Sequence, residues 1–143
     1  MATVELRFSA LPEHVRTARL VAAAVARRAG VDEAVLDEVR LAVGEACTRA
    51  VGLHQHGGIT APVNVSLIEE EKQFSIEVGD KAPHAVSGAG APDTAVDDAE
   101  AEEDEMGLAV ISGLVDDVEV SAGKDGGLIR MTWPTATAVL PPA

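Results

Sequence analysis

Two charged residues four positions apart, Glu45 and Arg49 in the stretch AVGEACTRAVGLHQH, are the first candidates for chemistry in this 143-residue chain. On a helix they fall one turn apart with the acid first, the favourable order. They are either part of an active site or an exposed ion pair contributing about 0.3–0.5 kcal/mol. Spacing alone favours the exposed pair, and Glu38, seven residues earlier, extends the same polar stripe. Cys47, His54 and His56 carry metal-ligand chemistry. Cys47 nevertheless falls on the apolar side of the helix, and no second Cys or carboxylate completes a metal-binding spacing, so no metal site is expected. Gly-x-Ser-x-Gly and P-loop patterns are absent.

These residues need a scaffold, and the hydrophobic pattern supplies one. TVELRFSA alternates Val4, Leu6 and Phe8 against Glu5, Arg7 and Ser9, which predicts a half-buried strand. Pro12 opens a helix running to about Arg28, with Gly30 as its stop signal. A second helix starts at Asp32 as cap and keeps Val35, Val39, Ala42, Val43, Ala46, Ala50 and Val51 on one side until HGGITAP breaks it. PVNVSLIE and QFSIEVGD are two strands joined by a charged turn. MGLAVISGLVDD is a short apolar helix, and VEVSAG and GLIRMTWP form a closing hairpin. This order predicts an α+β two-layer sandwich, with a mixed, mostly antiparallel sheet and helices on one face. The expected organisation is a single domain over residues 1–134, with an acidic mobile lid loop at 81–105 and a flexible tail at 135–143.

Composition narrows the partners. The formal net charge is -13, which argues against direct contact with nucleic acid or an anionic membrane. Asp93 to Glu105 holds eight carboxylates and no Lys or Arg. One cysteine excludes an intrachain disulfide, no apolar run approaches the ~20 residues of a membrane span, and MATVELRFSALPEH lacks a signal-peptide pattern. The expected location is cytoplasmic.

Taken in order, these segments resemble the anti-sigma regulatory factors of the RsbW and SpoIIAB type, small serine kinases of the GHKL (histidine kinase-like) ATPase superfamily. LDEVRLAVGEACTRAV is similar to the family's N-box helix, and its EACTR form resembles the actinobacterial branch. IEVGDKAPH resembles the Asp-x-Gly-x-Gly loop (G1), EMGLAVISGLVDDVEV the Gly-x-Gly-Leu helix (G2), and GGLIRMTWP the last strand. The resemblance implies a GHKL fold with ATP as cofactor. It makes Glu45 the general base toward a partner serine and Asp80 the reader of the adenine amino group. Arg49, Ala82, His84, Gly107 and Leu108 complete the nucleotide pocket.

Several of these positions depart from the family pattern. Arg49 replaces the magnesium-holding Asn, and a guanidinium has no lone pair to give a metal. Ala82 and His84 stand where G1 has glycines, and Glu105 occupies the first G2 glycine. No Lys or Arg occurs between Ala82 and Gly123. Phosphoryl transfer depends on neutralising charge, so magnesium use is not expected, and Arg49 is expected to pair with Glu45. The expected function is partner switching between a sigma factor and/or a STAS-domain anti-anti-sigma factor through a degenerate ATP site. The alternative is an active serine kinase, with Arg49 clamping phosphate. Arg16, Arg19 and Arg27 on the first helix, with Arg28 beside them, supply a basic surface for an acidic partner. A homodimer is a further expectation from the relatives.

Overall fold

The computed structural model describes residues 2–83 and 107–135. Strand β1 (Ala2–Phe8) leads into helix α1 (Glu13–Ala29), which follows Pro12 and ends on Gly30. Gly30 has φ 102°, a left-handed conformation that closes the helix with its N–H turned back to Ala26 and Arg27 carbonyls. Asp32 does act as a cap, but of a 3-10 turn (Glu33–Val35), where its carboxylate accepts from the Ala34 amide at 3.0 Å. Helix α2 proper therefore starts later than expected and runs Leu36–His56. Strands β2 (Val63–Glu69) and β3 (Gln73–Asp80) follow, then helical residues 107–114 (α3), β4 (Asp117–Gly123) and β5 (Gly126–Pro134).

The five strands lie in the order β1-β2-β3-β5-β4, and every pairing is antiparallel. The expected α+β sandwich is thus present, without the parallel component that "mixed" allowed. Period-two alternation puts Val63, Val65, Leu67, Phe74, Ile76, Val78, Ile129, Met131 and Trp133 on the helix-facing side. The opposite side is polar. There Glu77 sits in register with Arg130, whose guanidinium reaches Glu77 and Glu70, each at 3.4 Å.

Small residues bring the helices close. Ala18, Ala22 and Ala26 on α1 face a core that includes Val39, Ala42, Val43, Ala46 and Ala50 of α2. Ring contacts are few: among the described residues, Phe74 and Trp133 have centroids 6.5 Å apart and Phe8 and His14 6.2 Å. Full burial of each Val, Leu or Ile contributes roughly 1.5–3 kcal/mol, so the aliphatic layer between α2 and the sheet is the main stabilising term. That layer fixes which way α2 faces β3, and hence where the charged residues of α2 fall. No helix among the described residues is long and apolar enough to cross a membrane.

Candidate functional site

Strand β3 continues its inward alternation one step past the apolar core: Phe74, Ile76 and Val78 are followed on the same face by Asp80. A carboxylate at that position is taken out of water, and its side chain is only 2% exposed. Burial of a charge is tolerated when hydrogen bonds and an opposite charge replace its hydration. Both are present. Asp80 Oδ1 accepts from the backbone N–H of Ala82 at 2.9 Å and of Gly127 at 3.2 Å, while Oδ2 lies 3.9 Å from Arg49 Nη1. Gly126 closes this corner with φ 139°, and a β-carbon there would collide with the Asp80 carbonyl.

Arg49 is therefore not a surface residue. Its side chain is 8% exposed and turned beneath α2 toward β3. The expected Glu45–Arg49 pair is replaced by Arg49–Asp80. The physical reason is magnitude: an exposed i,i+4 pair contributes about 0.3–0.5 kcal/mol, whereas an uncompensated buried carboxylate costs several. Glu45 is half-buried and makes no ion pair among the described residues. Its Oε2 lies 3.9 Å from where a β-carbon on Gly107 would stand, so Glu45 and Gly107 are neighbours in space. Ala82 is buried, and Leu108 packs against the core beside Ile111 and Val115.

Glu45, Arg49, Asp80, Ala82, Gly107 and Leu108 thus lie on the segments that meet around α2 and the end of β3. His84, Glu105 and the acidic run Asp93–Glu105 lie outside the described residues. Cys47 is fully buried, and burial pushes its thiol up to about 12. His54 is also fully buried and is committed on both ring nitrogens, to the Ala61 carbonyl and the Lys81 amide, each at 2.9 Å. Among the described residues no three His, Cys, Asp or Glu side chains converge as a metal site.

A second feature is a groove of about 430 Å³ between α1 and α2. Arg16 and Arg19 line one wall, Leu41 and Glu45 the other. Gly44 lets the Arg19 stem lie flat, since a β-carbon at Gly44 would stand 2.8 Å from Arg19 Cδ. Arg27 is elsewhere, paired with Glu33 at 2.9 Å, and Arg28 is paired with Glu69 at 2.7 Å. Of the four arginines of α1, the groove holds two.

Sequence reasoning missed four contributors. His54 falls three, four and seven residues after Val51, Ala50 and Cys47, a polar residue on an apolar stripe, which is a legible signal for a buried hydrogen-bonded role. Gly126 and Gly127 fall within the closing hairpin, and nothing in the hairpin pattern marks their closeness to Asp80. Gly44 carried no visible signal, because it acts on a side chain of another helix.

Comparison with known proteins agrees with the fold. Residues 8–133 match the family described as histidine kinase-like ATPase domain. The serine-protein kinase RsbW of Bacillus pumilus (strain SAFR-032) is 32% identical over 136 residues, covering 90% of this chain and 83% of the relative. That of Oceanobacillus iheyensis is 27% identical over 136 residues, covering 90% and 84%. Among solved structures, the RsbU and RsbW domains of Rv1364c from Mycobacterium tuberculosis superpose with a TM-score of 0.69 at 16% identity, which speaks to the fold. This chain is covered to 96% and spans a third (33%) of that longer one. The fold, the matched span and the relatives agree: the chain belongs to the RsbW-type branch of the histidine kinase-like ATPase family.

Proposed function

We propose that this chain is an anti-sigma-type regulatory protein that acts by partner switching, binding a sigma factor, a STAS-domain anti-anti-sigma factor, or each in turn, with a nucleotide pocket closed to catalysis. The observation that carries the reading is the Arg49–Asp80 pair, 3.9 Å apart and almost fully buried. By resemblance these two positions would hold magnesium and read adenine. Here one is a fixed cation without a lone pair, and the other has its carboxylate engaged by that cation and by two backbone amides. The residues present do not fit a magnesium nucleotide. Charge supports the same reading, because eight carboxylates between Asp93 and Glu105 would repel a polyphosphate within roughly 8 Å at physiological ionic strength.

Partner recognition would use the α1–α2 groove. Arg16 and Arg19 form a basic wall on a chain of net charge -13, next to the exposed Leu20 and Leu41. An acidic segment with one or two apolar anchors fits that combination. Switching is then competition for an overlapping surface, decided by the relative free energies and concentrations of the two partners.

A second reading, an active serine kinase, is favoured by one observation: Glu45 is not tied up by Arg49 and lies beside Gly107. The relatives' name, serine-protein kinase, points the same way. Calorimetric titration with magnesium-ATP, together with labelled phosphate and a STAS-domain partner, separates the two. Partner switching predicts no magnesium-dependent binding in the micromolar range and partner binding that survives Glu45→Ala. Magnesium-supported binding, with labelled partner serine that disappears in Glu45→Ala, would establish the kinase instead.

A further inference from the structure

We infer that His54 is the positioning residue of the pocket: as a neutral imidazole protonated on Nδ1, it fixes the chain at Lys81 and so holds Asp80 against Arg49. His54 lies near the end of α2, the helix that also carries Glu45 and Arg49. Its ring is fully buried and bridges two strand ends. Nδ1 is 2.9 Å from the Ala61 carbonyl, just before β2, and Nε2 is 2.9 Å from the Lys81 amide, directly after Asp80. β2 and β3 are antiparallel neighbours with Asn64 opposite Gly79, so both contacts are at the same end of that hairpin.

The tautomer follows from the partners. A backbone N–H only donates, so Nε2 must present its lone pair to Lys81, and Nδ1–H then donates to Ala61. A ring protonated on both nitrogens would set one N–H against another. Lys81 is covalently next to Asp80, and the following amide, of Ala82, is already given to Asp80 Oδ1. The Lys81–His54 bond is thus the link by which α2 sets the height of the Asp80 carboxylate relative to Arg49 on the same helix. It concerns the arrangement of the pocket and holds whether or not nucleotide is turned over.

Two substitutions divide the bridge. In His54→Gln the side-chain oxygen can still accept from Lys81, whereas in His54→Asn the shorter amide can donate only to Ala61. The Arg49–Asp80 coupling is measured in each background by a double-mutant cycle on the unfolding equilibrium, using Arg49→Met and Asp80→Asn. The expected result is coupling within about threefold of the native value in His54→Gln and at least tenfold weaker in His54→Asn, which is about 1.4 kcal/mol. Nitrogen NMR of the unmutated chain supplies a readout that general destabilisation does not move. Nε2 should carry no proton and should show scalar coupling across the hydrogen bond to the Lys81 amide. Equal coupling in the two variants, loss of coupling in His54→Gln, or a protonated Nε2 would each overturn the assignment. Should His54→Asn fail to fold, His54→Gln and the spectrum still decide it.

Discussion

Because the proposed closure of the pocket rests on Arg49 and Asp80, the most informative perturbation is to remove each charge and then both. At 3.9 Å the direct Coulomb attraction is about 4 kcal/mol for an effective dielectric of about 20. Exposures of 8% and 2% leave little solvent to screen it. Relaxation in the variants erodes part of this, so the expected coupling energy is about 2–4 kcal/mol, within the range measured for close desolvated pairs. Arg49→Met alone removes the guanidinium beside the buried Asp80 carboxylate and should cost about 3–5 kcal/mol. Asp80→Asn alone removes the carboxylate beside the buried Arg49 guanidinium. The double variant should be less destabilised than the sum of the two by the coupling energy, because similar-sized neutral groups then fill the space. Urea unfolding reads all four proteins, and the single tryptophan, Trp133, 3% exposed in the core, is the natural fluorescent probe. The cycle subtracts whatever other contacts each residue makes. Coupling below about 0.5 kcal/mol would mean that the Arg49 charge does not hold Asp80 in place. The electrostatic reason for a closed pocket would then be lost.

Three other outcomes are expected. Arg49→Asn should not restore magnesium-dependent ATP affinity by calorimetry, because it removes the counter-charge of Asp80 while Ala82 and the acidic segment stay; tight binding by this variant would refute accumulated loss. Cys47 should make the fold sensitive to alkali: its thiol titrates near 12 when folded against a usual 9.0, so its stabilising contribution is intact below about pH 9 and lost as pH rises toward 12, at about 1.4 kcal/mol per pH unit. The chain has no tyrosine to confuse that range, and Cys47→Ala should flatten the slope of unfolding free energy against pH by this amount. Gly44→Ala should separate stability from recognition, since the helix gains up to about 1 kcal/mol in propensity while the new methyl lifts the Arg19 stem out of the groove. Melting temperature should hold or rise as partner affinity falls; unchanged affinity would remove Arg19 from the proposed docking surface.

Much of the scaffold was legible because its determinants are local. The alternation in TVELRFSA, the Gly30 stop and the helical spacing from Val39 to Val51 each report on one element, and each element is where its pattern places it. The start of α2 was misplaced for a local reason as well: Asp32 is a good cap, but a 3-10 turn intervenes between it and Leu36. The alternation of β3, carried one step past Val78, ends on Asp80, which in the sequence was singled out only by resemblance. What periodicity does not carry is the partner of a residue. Glu45 and Arg49 look like a pair because spacing measures only neighbours on one helix.

That limit can be turned into a rule of weights. A long cation on the margin of a buried helix face has two possible partners, an acid one turn away and an acid brought near by the fold. The first offers a few tenths of a kcal/mol in solvent, whereas the second removes a penalty of several. Once alternation marks Asp80 as inward-facing, the balance favours Arg49 going under the helix rather than along it, and Glu45 is then left to the solvent-facing groove with Arg16 and Arg19. Arg49, at the position where the resemblance places a metal-holding amide, also supplies a counter-charge that lets the Asp80 carboxylate remain buried. In the proposed reading, closure of the pocket and stability of the fold are thus coupled in one residue. On that reading, nucleotide chemistry would require changing Arg49 together with the surroundings of Asp80.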